Sequence, residues 1–270
     1  MLSHQQILHF STFGFVVLRG LLSPAETGTL RREVTDAITG AFGPVPAPPG
    51  ENDGISGDYL PLATGRAPFS MSLIADDPRT FLASAQLLGS LTVPQIGIAT
   101  RFRGDSSWHT RQGPDVGGVT FWADLEPRRL DSGALQLIPG SHLPEFERRL
   151  WEYGAAEPSA SGFEDWDYPH VVIETEAGDV VAFHAHLRGR AQGGTPRLSW
   201  TIDYVTWPGV GSRDRMDTVR DLILDGTDVD GYDRERWPVW RDWVAGAAAV
   251  PSRSLAVARL RLLGVLPGAE

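Results

Sequence analysis

The chain of 270 residues contains no cysteine and no lysine. Without cysteine there are no disulfides, no thiolate nucleophiles and no cysteine-ligated zinc or iron–sulfur centres. Without lysine there is no Schiff-base chemistry, no lysine-bound pyridoxal phosphate and no phosphate-binding loop that depends on that side chain. All 24 basic residues are therefore arginine, and they are outnumbered by 34 acidic ones, for a formal charge of −10. No basic run or stripe breaks this acidic balance, so nucleic acid is not an expected partner. The opening MLSHQQILHFSTFGFVVL has no arginine-rich leader, and its apolar stretch is too broken for a signal peptide or a membrane helix; neither a membrane partner nor a location outside the cytoplasm is expected.

What is present is the composition of a folded chain. Hydrophobic residues make up 41% and charged residues 21%, which excludes a wholly disordered or fibrous protein, and the length suits a single domain over 1–270 with a closed core. Phe13 to Arg19 is rich in β-formers. Ser23-Pro24-Ala25-Glu26 reads as a capping box with proline in the first turn, and Leu30, Val34 and Ile38 continue it at helical spacing. A proline-rich run from Gly43 to Gly54 predicts a loop, and a second helix is expected from Pro78 to Leu91, within an N-terminal helical region of about 23–91.

From about 93 to 206 the pattern changes to short strands between glycine and proline turns: Gln95–Arg103, Gly118–Leu125, Ala134–Ile138, His170–Glu174, Asp179–His184 and Arg197–Thr206. That many short strands predict a sandwich or barrel. A helix and a Gly/Ser/Ala loop at about 143–168 interrupt them like a lid, and a tryptophan-rich helical extension occupies about 209–270.

Four stretches carry a resemblance: FGFVVLRGLLSPAE at the start, Trp108-His109-Thr110-Arg111, SGALQLIPGSH from Ser132 to His142, and AGDVVAFHAHL from Ala177 to Leu187. Together they resemble the phytanoyl-CoA dioxygenase branch of the Fe(II)/2-oxoglutarate oxygenases. The resemblance implies a mainly β fold with flanking helices, the double-stranded β-helix or cupin-like jelly roll. It also implies a His-x-Asp pair and a distal histidine presented to iron. Here His109 falls on the first histidine, but Arg111 stands at the aspartate position, and Gly189, six residues after Phe183, stands at the distal histidine position. Arginine has no lone pair to donate and glycine has no side chain, so two of three family ligands are vacated and no metal is expected at the site.

His109 and Arg111 are accordingly the candidate catalytic pair, the imidazole moving a proton and the guanidinium holding negative charge. The resemblance further places Arg197 and Ser199 on the family's Arg-x-Ser carboxylate grip. Arg188, Trp108, Trp122, His184 and His186 complete the candidate substrate-binding set. The expected function is a metal-independent, redox-neutral enzyme, a cyclase, isomerase or dehydratase of a small natural-product intermediate, with no cofactor. Two alternatives stay open at this point. One is an Fe(II)/2-oxoglutarate hydroxylase with a displaced ligand set drawn from His184, His186, Asp105 and Asp115; the other is a non-catalytic protein that binds a small molecule.

Overall fold

A computed structural model describes residues 1–44, 56–61, 67–111, 116–155, 168–192, 196–209, 211–225 and 241–266. The chain opens with a helix that the sequence reading missed, α1 (His4–Phe13), capped reciprocally by Ser3 and Gln6 and stopped by Gly14 in the left-handed region. Strand β1 (Phe15–Leu18) follows, and α2 (Pro24–Phe42) starts at the expected capping box and buries Leu30, Val34 and Ile38. Strand β2 (Ser56–Pro61) was not anticipated, since its Gly57 and Pro61 read as loop residues. The single helix expected from Pro78 to Leu91 is instead two, α3 (Pro68–Ala75) and α4 (Phe81–Leu88). Asp77-Pro78 forms the turn between them, and Gly89 at φ 60° ends the second.

The expected strands are present as β3 (Thr92–Arg103), β4 (Gly118–Asp124), β5 (Leu135–Leu137), β6 (Val171–Ile173), β7 (Val180–His184) and β9 (Arg197–Thr206). The short β8 (Gly189–Ala191) escaped notice because three residues are too few to show alternation. The expected insertion contains helix α5 (Pro144–Ala155), and its loop at 156–167 lies outside the described residues. The C-terminal extension supplies α6 (Arg213–Asp225), α7 (Arg241–Ala245) and α8 (Pro251–Leu262); its Trp243 is fully buried, while Trp237 and Trp240 lie outside the described residues.

The strands form two antiparallel sheets. The larger has the order β1-β7-β4-β9-β3-β2 and the smaller β6-β5-β8. β9 shows how the larger sheet is built, because its two faces differ in kind. Trp200, Ile202 and Tyr204 point outward under the helices: Trp200 donates to Ser70 Oγ at 2.8 Å, and the Tyr204 hydroxyl donates to the carbonyls of Leu73 and Ile74 in α3. The alternate residues Arg197, Ser199, Thr201 and Asp203 face the other way. A strand buried on both faces yet polar on one has that polar face turned toward a site rather than a core.

Register aligns this polar face across neighbouring strands. Tyr59, Thr100, Ser199 and Asp124 form one row, Gly57, Phe102 and Arg197 the next, and Asp203, Thr120 and Phe183 another.

Candidate active site

A cavity of about 100 Å³ lies over the polar face of the larger sheet, and its lining includes Tyr59, His109, Arg111, Trp122, Arg197 and Ser199. This is smaller than the several hundred Å³ of a drug-sized ligand pocket, leaving room for a small ligand or for one end of a larger one. Five of the expected site residues are brought together here: His109, Arg111, Trp122, Arg197 and Ser199. Gly189, the vacated distal position, lines the same cavity.

His109 and Gly189 are direct neighbours. The two residues exchange both backbone hydrogen bonds, His109 N to Gly189 O at 3.1 Å and Gly189 N to His109 O at 3.0 Å, so His109 extends the edge of β8 in the smaller sheet. His109 Nδ1 lies 2.9 Å from Ser107 O. A carbonyl only accepts, so Nδ1 carries a hydrogen, and Nε2 is the nitrogen left to exchange a proton.

The Arg111 guanidinium is anchored from below. Its Nη2 donates to Asp203 Oδ2 at 3.3 Å and its Cζ sits 6.0 Å from the Trp122 ring centroid, while its backbone N donates to Ala185 O. Asp203 also accepts from the Thr120 hydroxyl. Sequence reasoning missed Asp203, although the alternation of β9 places it on the face of Arg197 and Ser199.

At the other end, Arg197 stacks over Phe102 at 4.6 Å and donates Nη2 to Gly104 O at 2.7 Å. Its Nη1 and the Ser199 hydroxyl are buried with no hydrogen-bond partner among the described residues. Burial lowers the Arg197 pKa and raises that of Asp124, which accepts from Trp122 Nε1 at 3.1 Å. Two orphaned donors side by side, one cationic, suit a carboxylate.

Gly133, in the most specific stretch of the sequence resemblance, explains its own presence here. It adopts φ +90°, and a Cβ on it would lie 2.2 Å from Arg197 Nη1. Gly133→Ala is expected to cost about 1–2 kcal/mol in backbone strain and to push the guanidinium off its place. Urea unfolding should show the loss, and calorimetric binding of succinate should weaken at least tenfold; unchanged succinate binding would show that Arg197 does not depend on this glycine.

The remaining expected residues lie elsewhere. Trp108 stands behind the wall, stacked by Arg190 at 4.3 Å and edge-on to His170 at 5.5 Å. Arg188 lies outside the lining and its backbone N donates to Ser141 Oγ.

His184 and His186 also fall outside the lining. Phe10 of α1 packs on His184, whose ring centroid is 5.1 Å from that of His142 and 5.0 Å from that of His186. The displaced ligand set therefore loses its two histidines from the cavity, and Asp115 lies outside the described residues.

This histidine cluster is expected to make the fold acid-sensitive. Burial, with His142 and His186 adding to it, depresses the His184 pKa to about 3. The unfolded chain protonates at the ordinary value near 6.5, so stability from a neutral His184 is complete above pH 6.5 and is lost as the pH falls toward 3. By pH 5 the loss is about 2 kcal/mol. His184→Asn is expected to flatten the dependence of the urea midpoint on pH between 7 and 5, and an unchanged slope would place the sensitivity elsewhere.

Antiparallel sheets with flanking helices and a cavity lined from both sheets define a mainly β, cupin-like double-stranded β-helix, as the sequence resemblance implied. A family model described as phytanoyl-CoA dioxygenase (PhyH) matches residues 75–192, so this stretch of the chain is similar to that family.

Similar solved structures carry the same fold. The non-heme α-ketoglutarate-dependent epimerase SnoN of nogalamycin biosynthesis is 19% identical over 77% of this chain and 90% of its own, with a TM-score of 0.58. The carbocyclase SnoK of the same biosynthesis is 19% identical over 79% and 90%, also at 0.58. HygX from Streptomyces hygroscopicus, with nickel and 2-oxoglutarate bound, is 18% identical over 76% and 87%, at 0.55. No curated protein matches the sequence.

Proposed function

We propose that this protein is a metal-independent, redox-neutral enzyme, of the cyclase, isomerase or dehydratase type, acting on a small natural-product intermediate. The observation that carries the reading is the donor set in the cavity. At the three positions where the resemblance puts iron ligands stand one imidazole, His109, one guanidinium, Arg111, and no side chain, Gly189. Arginine is positive at all accessible pH and offers no lone pair. The pairing of His109 with Gly189 in one β-bridge supports the assignment of those positions. Fe(II) does not fit these residues, and 2-oxoglutarate would lack the metal that holds its keto-acid end.

The chain's own groups supply a different chemistry. Arg197 and Ser199 hold a substrate carboxylate, while Trp122, Phe183, Leu135 and Leu187 exclude water around the enclosed end. His109 Nε2 accepts a proton, and Arg111, oriented by Asp203, stabilises the negative charge left behind. The likeness to SnoN and SnoK, both non-heme α-ketoglutarate-dependent enzymes of natural-product biosynthesis, supports a natural-product substrate, while the metal-independent part of the reading rests on the residues of the cavity.

The test is an anaerobic Fe(II) titration of the purified protein, followed calorimetrically, with elemental analysis and a comparison of turnover before and after chelation. No stoichiometric iron and unchanged turnover are expected. A one-to-one complex of micromolar affinity would overturn the reading in favour of an oxygenase with altered ligands.

A further inference from the structure

Among the described residues that line the cavity, His109, Arg111, Arg190, Arg197 and Tyr59 are the titratable or charged ones, and Tyr59 has so far been given no role. It comes from β2, the edge strand of the larger sheet, whereas His109 extends β8 at the edge of the smaller sheet. The two groups therefore approach the cavity from opposite sheets. Gly57 sets where the phenol lies. A Cβ at Gly57 would come within 2.7 Å of Tyr59 Cε2 and 3.1 Å of its hydroxyl oxygen, so the ring folds back over Gly57. Gly57 shares its row with Phe102 and Arg197, and Phe102 carries the Arg197 guanidinium at 4.6 Å.

We propose that Tyr59 is a catalytic acid that works against His109 across the cavity, on a carbon acid whose carboxylate is held by Arg197 and Ser199. This deepens the redox-neutral reading above and rests on it. In the step, a substrate C–H bond breaks, its proton goes to His109 Nε2, and its electron pair moves into the adjacent carbonyl as an enolate beside Arg111. A new C–H bond then forms on the opposite face with the proton of the Tyr59 hydroxyl. That leaves a phenolate and an imidazolium, which solvent returns to phenol and imidazole, so nothing is oxidised or reduced. Where the substrate carries a leaving hydroxyl, the same proton departs with it as water.

The electrostatics suit that role. Although Tyr59 is 38% exposed, the part of its ring that lines the cavity is desolvated, which raises its pKa above the usual value near 10, while the charges of Arg111 and Arg197 pull the other way and stabilise the phenolate once it forms. Removing either guanidinium should therefore make the phenol harder to ionise.

The experiment uses ultraviolet ionisation of tyrosine near 295 nm, with the wild type minus Tyr59→Phe difference isolating one phenol, and succinate as the carboxylate probe. The difference signal is expected to titrate above pH 10, to move up by about one pH unit in Arg197→Met or Arg111→Met, and to move up again on adding succinate to wild type. Gly57→Ala, which evicts the ring without changing the phenol, is expected to bring the titration back to that of an ordinary tyrosine.

A Tyr59 titration insensitive to both arginine variants and to Gly57→Ala would overturn the proposal. Sensitivity to the arginines without any succinate binding would keep Tyr59 in the site and overturn the carboxylate as substrate handle. Iron binding in the separate titration would overturn the redox-neutral reading and leave these spectroscopic results standing.

Discussion

Arg111→Ala is expected to lower turnover about 10²–10³-fold, the usual cost of removing one charge-stabilising donor, and to lower the melting temperature as well. The second effect has a separate cause. Asp203 is 7% exposed and, among the described residues, keeps only the Thr120 hydroxyl once the guanidinium is gone. Leaving a buried charge without its partner is costly, although the Arg111 side chain is 25% exposed and water partly screens the pair. A loss of about 1–3 kcal/mol is expected, or roughly 2–4 °C per kcal/mol in a domain of this size.

The double variant Arg111→Ala/Asp203→Asn separates the two effects. Without the orphaned carboxylate, stability should return most of the way to wild type, but turnover should stay low because nothing replaces the cation. If turnover recovers together with the melting temperature, Arg111 acts only through the fold, and the catalytic role passes to the remaining cations of the cavity, Arg197 and Arg190. His109→Ala should cost a comparable factor in rate without the stability loss, because the imidazole is exposed and its one hydrogen bond goes to Ser107.

Much of the fold is legible in the sequence for local reasons. The capping box at Ser23 and the period of Leu30, Val34 and Ile38 place α2, and alternation places β4, β7 and β9 to within a residue or so. Elements without a local signal were lost: α1, whose apolar residues are sparse, β2, which contains glycine and proline, and β8, which is three residues long. The site divides in the same way. His109, Arg111, Arg197 and Ser199, which the family resemblance marks, line one cavity. Tyr59 could not be read from the sequence, since it reaches the cavity only through β2 pairing with β3, whereas Asp203 was there to be read from the alternation of β9 and only its partner Arg111 needed the structure. His184 and His186 misled because two histidines at alternate positions beside a vacated ligand resemble substitutes for it. Strand β7 ends at His184, and beyond it the chain turns toward α1, where both rings join His142.

Arg111→Asp combined with Gly189→His is expected to create a metal site where wild type has none. The backbone already sets the two segments side by side, with His109 and Gly189 sharing a β-bridge. Room at 189 is nearly sufficient: a Cβ there meets Leu137 Cδ2 at 3.1 Å, the far end of a side chain that can shift, and Gln136 O at an ordinary 3.5 Å. An aspartate at 111 enters beside Asp203, whose partner has been removed, so two carboxylates face each other until a cation arrives. That repulsion destabilises the metal-free variant and adds to the gain on binding. Two imidazoles and a carboxylate form the facial ligand set of non-heme iron, and Co(II) reports its occupation through visible absorption. The double variant should bind Co(II) with micromolar affinity, about 8 kcal/mol, and each single variant on the order of 100-fold more weakly. Wild type should show no stoichiometric complex, because its cavity keeps one imidazole beside a fixed positive charge. A double variant that folds normally by circular dichroism, yet takes up no Co(II) at millimolar concentration, would mean that positions 111 and 189 are not the vacated ligand sites and that acid–base chemistry has not replaced iron in this cavity.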